Sequence, residues 1–321
     1  MTPVTSTPEQ IARGVQILRE GGVVAFPTET VYGLGADALN EAAVAHVFAL
    51  KGRPHHNPLI VHVSGPEMAM TLARSWGERE QRLAETFWPG PLTIIAPAAD
   101  LVPRIVRADG PTIALRCPDH PITLALIEAF GGPLVGPSAN RSGEVSPTTP
   151  DHVLASFPDL FVLDGGAARA GIESTVVRLL PDRALVLRQG LITPEQLRSV
   201  LALPVEIAPA PSPGEDLGSP GRLPRHYAPS TPARLLSRVE ILAITGRRLV
   251  VLAASPLDAA PGRVVLAMPS NARAYASRLY AALREADALG MELIAIERPD
   301  ASGPEAEVWH AILDRLERAC A

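Results

Sequence analysis

Lysine is nearly absent from this 321-residue chain: of 29 basic residues one, Lys51, is lysine and the other 28 are arginine. That scarcity excludes whole families. A phosphate loop of the G-x-x-x-x-G-K-[ST] type needs glycine before its lysine and a hydroxyl after it, whereas Leu50 and Gly52 flank Lys51. A lysine Schiff base would have to use this one side chain. Cysteine is as rare: Cys117 and Cys320 stand far apart without a C-x-x-C pattern, which fits a reducing compartment and leaves no zinc signature. No uncharged apolar run approaches the roughly 18 residues of a membrane span. Met1-Thr2-Pro3-Val4 has neither the basic nor the apolar stretch of a secretory leader. A net charge of -5 offers nucleic-acid phosphates no general attraction, and 4% aromatics leave few platforms for stacking bases. The expectation is a soluble, cytoplasmic protein with no membrane span and no strong direct nucleic-acid binding.

What is present is an ordinary globular composition, 47% hydrophobic and 20% charged, long enough for two domains. Thr7-Pro8-Glu9-Gln10 combines an N-cap hydroxyl, a proline at the first helical position and a capping-box glutamine, so a helix runs from here to Gly21-Gly22. Val23 to Phe26 reads as a buried strand, and a loop through Pro27, Gly33 and Gly35 leads to a helix over 41–50. Further strands are expected at 59–63, 92–96, 112–116, 134–136, 161–163, 175–179 and 184–188. Prolines 204, 209, 211, 213, 220, 224, 229 and 232 then mark an extended linker, since none tolerates a helix interior or a central strand. Beyond it, strands at 249–253, 264–267 and 292–296 and helices at 271–289 and 305–319 read as a small α/β unit. The expected organisation is a domain over 1–205, a linker over 206–231 and a second domain over 232–321. The fold class is α/β, with a twisted mixed sheet flanked by helices.

Two familiar motifs fail on inspection. Gly33-Leu34-Gly35-Ala36-Asp37-Ala38 fits G-x-G-x-x-[GA], but no acidic residue lies between Glu41 and Glu67 to hold a ribose. Gly136-Pro137-Ser138-Ala139-Asn140 resembles a serine nucleophile elbow, yet asparagine stands where the last glycine is required. A better account gathers several loops into one pocket. The segments at 27–30, 51–53, 116, 137–143, 173–175 and 188–190 each set a small hydroxyl, an amide or a cation at the end of an apolar strand, where open α/β sheets bind ligands. Lys, Arg, Ser and Asn without a carboxylate pair suit an anionic ligand such as a nucleoside triphosphate.

The segments Pro27-Thr-Glu-Thr-Val-Tyr-Gly-Leu-Gly35, Lys51-Gly-Arg-Pro54, Asn57-Pro-Leu-Ile-Val-His62, Trp88-Pro-Gly-Pro-Leu-Thr93, Ala114-Leu-Arg-Cys-Pro118, Pro137-Ser-Ala-Asn-Arg-Ser-Gly143, Glu173-Ser-Thr-Val176 and Arg188-Gln-Gly190 together resemble the YrdC-like family of threonylcarbamoyl-AMP synthases. The match runs from about residue 8 to 205. Ser219-Pro-Gly221 and Arg225-His-Tyr-Ala-Pro229 resemble the linker of the long, two-domain form, whose second domain is Rossmann-like.

The resemblance implies an enzyme that joins L-threonine, bicarbonate and ATP, with Mg2+, into threonylcarbamoyl adenylate and pyrophosphate. Its product passes to separate proteins that modify tRNA. The threonine pocket falls on Thr30, His62, Arg116, Gly136 and Ser174. The ATP side falls on Arg53, Asn57, Thr112, Ser138, Ser146, Arg188 and Tyr227, the last as a linker flap over the nucleotide. Lys51 is added on physical grounds, as a compact ammonium for phosphate or carbamate that would act with Arg53. The rivals are an RNA-binding module of the same fold without synthase activity, and adenylation of a different carbamate.

Overall fold

A computed structural model gives the fold and describes residues 6–209, 225–258 and 260–321. The middle of the expected linker, 210–224, with the Ser219-Pro-Gly221 segment, lies outside the described residues.

The first unit holds strands β1 (Val24–Phe26), β2 (Gly33–Asp37), β3 (Ile60–His62), β4 (Leu92–Pro97), β5 (Thr112–Arg116), β6 (Leu134–Val135), β7 (Phe161–Val162), β8 (Thr175–Leu179), β9 (Ala184–Arg188) and β10 (Val205–Ile207). They form one mixed sheet in the order β10-β9-β8-β4-β5-β3-β6-β2-β1-β7. Helices α1 (Pro8–Arg19), α2 (Glu41–Lys51), α3 (Pro66–Leu72), α4 (Glu78–Phe87), α5 (Pro121–Phe130), α6 (Pro150–Ser156) and α7 (Pro194–Leu201) flank it. The second unit has β11 (Ala233–Leu236), α8 (Arg238–Ala243), β12 (Leu249–Ala253), β13 (Arg263–Ala267), α9 (Ala272–Ala288), β14 (Leu293–Glu297) and α10 (Ala306–Ala319). Its four strands pair in parallel in the order β11-β14-β12-β13, the arrangement expected of a Rossmann-like unit.

Local chemistry explains the boundaries. Thr7 and Gln10 cap α1 reciprocally, each side chain accepting from the other's backbone N–H, and Val15 and Leu18 bury its apolar face. Two segments depart from expectation. Residues 33–37 form β2 rather than a loop, paired with β1 and packed under the Phe26 ring. Residues 205–207 lie in the expected linker margin but add β10 to the sheet edge beside β9.

Two apolar layers pack on the large sheet, one around Val47, Leu83 and Leu115, the other around Leu18, Phe26 and Leu126. A third core crosses between the units. It joins Val31, Val145, Ile172 and Tyr227 to Tyr275, Leu279, Tyr280 and Ile312. Burial of one continuous apolar surface from both units is what seats the second unit against the loops of the first. Among the described residues no helix is long and apolar enough to cross a membrane.

Candidate active site

Strand register builds the site. β3 and β5 run parallel with His62 paired to Arg116, so both side chains emerge together at the strand ends. β6 pairs antiparallel with β3 and leads directly into Gly136. A side chain there would collide: a Cβ on Gly136 would lie 2.5 Å from His62 Nδ1 and 2.7 Å from the Phe26 ring. The loop after it is fastened to β2, where Leu34 donates to the Pro137 carbonyl and Ala139 to that of Tyr32.

The resulting cavity is lined by Thr30, Arg53, His62, Arg116, Gly136, Ser138, Arg188 and Tyr227 among the expected residues. It is also lined by Glu173 and His226, which sequence reasoning did not assign. Thr30 is fully buried in a turn closed by Thr28, whose hydroxyl contacts Thr30 Oγ1 at 2.8 Å and accepts from the Val31 N–H. Ser174 is held by Thr93 at 2.7 Å and by Arg188 Nη2 at 3.0 Å. Asn57 is buried beside Arg53, which donates Nε to its carbonyl at 3.1 Å, and neither amide atom of Asn57 has a partner. Ser146 lies buried beneath the site and donates to Glu173 at 2.8 Å. Thr112 opens β5, is partly exposed and is not among the lining residues.

Lys51 is placed differently from the expected phosphate cation. Its side chain is buried and donates to the carbonyls of Ser138 and Asn140, the latter at 2.6 Å, while its own carbonyl accepts from Ser142. It does not line the cavity; it fastens the loop that carries Ser138. Burial, with Arg53 nearby, drives the Lys51 pKa well below its usual range.

Two buried carboxylates stand among these segments, each paired with an arginine rather than with the other. Buried Glu29 pairs with Arg116 Nη2 at 2.7 Å and accepts from the Asp119 N–H. Glu173 receives Ser146, Tyr280 and Arg315. Burial alone would raise its pKa, but the Arg315 and Arg188 guanidiniums outweigh that and hold it below the ordinary value. A clue to Glu29 and Glu173 lay in the matched segments that contain them, yet a carboxylate in a cation-rich pocket runs against simple charge logic.

His62 carries the clearest unmet demand. It is 1% exposed, and neither ring nitrogen has a partner. Burial, then the Arg116 charge, pushes its pKa well below 6.5, so it offers a neutral imidazole with one donor and one acceptor. His226 is similarly neutral, its pKa lowered to about 3 chiefly by burial. The Tyr227 ring stacks on Tyr280 with centroids 5.4 Å apart, and its hydroxyl has no partner.

Fold and pocket define a two-domain α/β enzyme whose cleft, rich in guanidiniums and hydroxyls, suits a small anionic ligand. Residues 16–190 match the Sua5, YciO and YrdC family, described as telomere recombination, and residues 192–321 match the C-terminal domain of threonylcarbamoyl-AMP synthase. The threonylcarbamoyl-AMP synthase of Pyrococcus abyssi is 37% identical over 97% of this chain and 93% of its own length. That of Bacillus subtilis is 39% identical over 97% and 92%. The solved structure of P. abyssi Sua5 complexed with L-threonine superposes with a TM-score of 0.88 at 36% identity, covering 97% of this chain and 94% of that one. The chain belongs to the threonylcarbamoyl-AMP synthase family, and it is an enzyme of nucleotidyltransferase type. An RNA-binding module without synthase activity has no support among these relatives.

Proposed function

We propose that the protein joins L-threonine, bicarbonate and ATP into threonylcarbamoyl adenylate, in a cytoplasmic setting, and passes the product to separate tRNA-modifying proteins. The observation that carries the reading is the pairing of unpartnered His62 with Arg116 in the same cavity as Arg53 and Arg188. An amino acid needs a carboxylate grip and neutral hydrogen-bonding groups for its amine and hydroxyl; a triphosphate needs cations. Arg116 supplies the first, Thr30, His62 and Ser174 the second, and Arg53 and Arg188 the third.

The threonine amine condenses with bicarbonate, losing water, to give a carbamate. A carbamate oxygen then attacks the α-phosphorus as the bond to the β-phosphate bridging oxygen breaks, and pyrophosphate leaves. No protein nucleophile is needed; positioning and charge neutralisation carry such a transfer. The donors around the cavity are mostly cations and hydroxyls, a set that fits magnesium arriving on ATP phosphates rather than on protein ligands. Once bound, that ion adds further neutralisation of phosphate charge.

The test is pyrophosphate release from magnesium-ATP by the purified protein, with and without L-threonine and bicarbonate, together with the mass of the adenylate. Dependence on both co-substrates and a threonylcarbamoyl adenylate mass are expected. Release that ignores threonine would return weight to a different carbamate.

A further inference from the structure

Glu173 is a puzzle for a cavity that takes a triphosphate. It lines the pocket beside Arg188, and an uncompensated carboxylate there would repel each incoming phosphate through a medium of low dielectric. Three donors engage it instead: Ser146 Oγ at 2.8 Å, Tyr280 Oη at 2.9 Å and Arg315 Nε at 3.2 Å. Two of the three come from the second domain, Tyr280 on α9 and Arg315 on α10.

Arg315 is unusual for a charged residue on an amphipathic helix. Its side chain is 0% exposed, and Glu173 is the one carboxylate of the first domain that it reaches among the described residues. It also lies over the Tyr227 ring, 5.8 Å from the centroid, while Tyr280 stacks on that ring from its own helix. A guanidinium that cost so much desolvation is justified by what it neutralises.

We propose that Arg315, assisted by Tyr280, is a positioning residue that neutralises Glu173 and aims it at Ser146, so that the second domain sets the affinity of the cavity for polyphosphate. The proposal rests on the ATP reading above. It assigns the second domain a specific electrostatic task rather than simple coverage. The carboxylate is retained because it braces Ser146 and the Arg188 end of the site, and the second domain removes the repulsion that this brace would otherwise bring.

Equilibrium binding of ATP and, separately, of L-threonine to the full-length protein reads this directly, with a thermal melt on each variant. Arg315→Met is expected to weaken ATP at least about tenfold while threonine changes by less than about threefold, because the exposed charge is felt by phosphate first. Arg315→Lys keeps the charge and recovers most of the loss. Adding Glu173→Gln to Arg315→Met removes the orphaned charge and returns ATP affinity to within about threefold of Glu173→Gln alone. A purely structural contact predicts the opposite: parallel losses for both ligands and no recovery in the double variant, which overturns the proposal. Should Arg315→Met not fold, Tyr280→Phe keeps the stacked ring and reads the same quantity, with about a threefold ATP loss that Glu173→Gln reverses; no loss overturns the proposal. A wild-type protein that does not bind ATP overturns both this inference and the reading beneath it. Wild-type binding with an unaffected Arg315→Met overturns this one alone.

Discussion

The Lys51 ammonium holds two converging carbonyls, those of Ser138 and Asn140, from a fully buried position. A tetrahedral ammonium does this from a single atom, whereas a guanidinium is a wider planar fork with a longer reach. Lys51→Arg should therefore displace the loop that carries Ser138, cutting adenylate formation by at least about tenfold despite unchanged charge. Pyrophosphate release measures it, and near-normal turnover would mean the loop tolerates the wider head group. Arg116 is aimed by a different pair of contacts, Glu29 at 2.7 Å and the Gly90 carbonyl at 3.3 Å. Arg116→Lys should raise the threonine KM about tenfold and leave ATP binding within about twofold, since one two-pronged contact to the amino-acid carboxylate is lost. An equal loss of ATP binding would put Arg116 on the other side of the pocket. The sequence singled out Lys51 by its scarcity and Arg116 by its motif, but it could not say that Arg116 lines the cavity while Lys51 holds the loop. Both orientations depend on side-chain contacts with segments tens of residues away.

Among elements, the docking of α9 against the 170–173 loop is the tightest constraint. Gly171 has φ +74°, and a Cβ there would lie 2.3 Å from the Ala276 carbonyl oxygen and 2.4 Å from the Ser277 Cα. Gly171→Ala adds both backbone strain and a clash with a helix backbone that cannot swing aside. We expect a loss of about 2 kcal/mol or more in urea unfolding, accompanied by weaker ATP binding because Glu173 sits two residues away. Unchanged stability would show that the helix shifts freely on the loop. Capped and periodic elements such as α1, with its Thr7 and Gln10 box, were legible in the sequence because their signals are local. β2 was not: Gly33 and Gly35 carry no strand preference, and the strand exists because its neighbours β1 and β6 pair with it and Phe26 covers it. β10 was hidden by the same tertiary cause, a three-residue edge strand among prolines.

For the whole molecule, acid sensitivity follows from burial of neutral histidines where the two domains meet the pocket. His62 and His226 are both buried; the first has its pKa pushed well below 6.5 by burial and Arg116, and the second is lowered to about 3 by burial, with Arg53, Lys51 and Arg188 adding to the shift. His152, on α6, is lowered to about 4 by burial and Arg284. Nothing in the sequence foretold the burial of His226, whose backbone N–H donates to the Arg318 carbonyl, just as nothing in α10 announced that Arg315 would cross to Glu173. Both are products of domain docking, which pairs residues too distant in the chain for any local pattern to register. The sign is fixed by linkage: with folded pKa values depressed, the unfolded chain binds more protons, so stability is whole above pH about 6.5 and falls as pH drops toward the folded values. Each buried ring withheld from protonation can cost up to about 1.4 kcal/mol per pH unit in that window. Glu173 and Asp314 also have lowered folded pKa values, but their contribution is lost only below the ordinary carboxylate range, near pH 4. Acid loss of stability should therefore begin about two units earlier than carboxylates alone would dictate. The urea midpoint should hold from pH 7.5 to about 6.5 and fall from there to pH 5. His226→Gln, which cannot take a proton, should flatten part of that slope while keeping a polar group beside Tyr227. A midpoint constant across the range would mean that the buried rings acquire protons without disrupting the fold, and so that the pocket admits compensating anions when it acidifies.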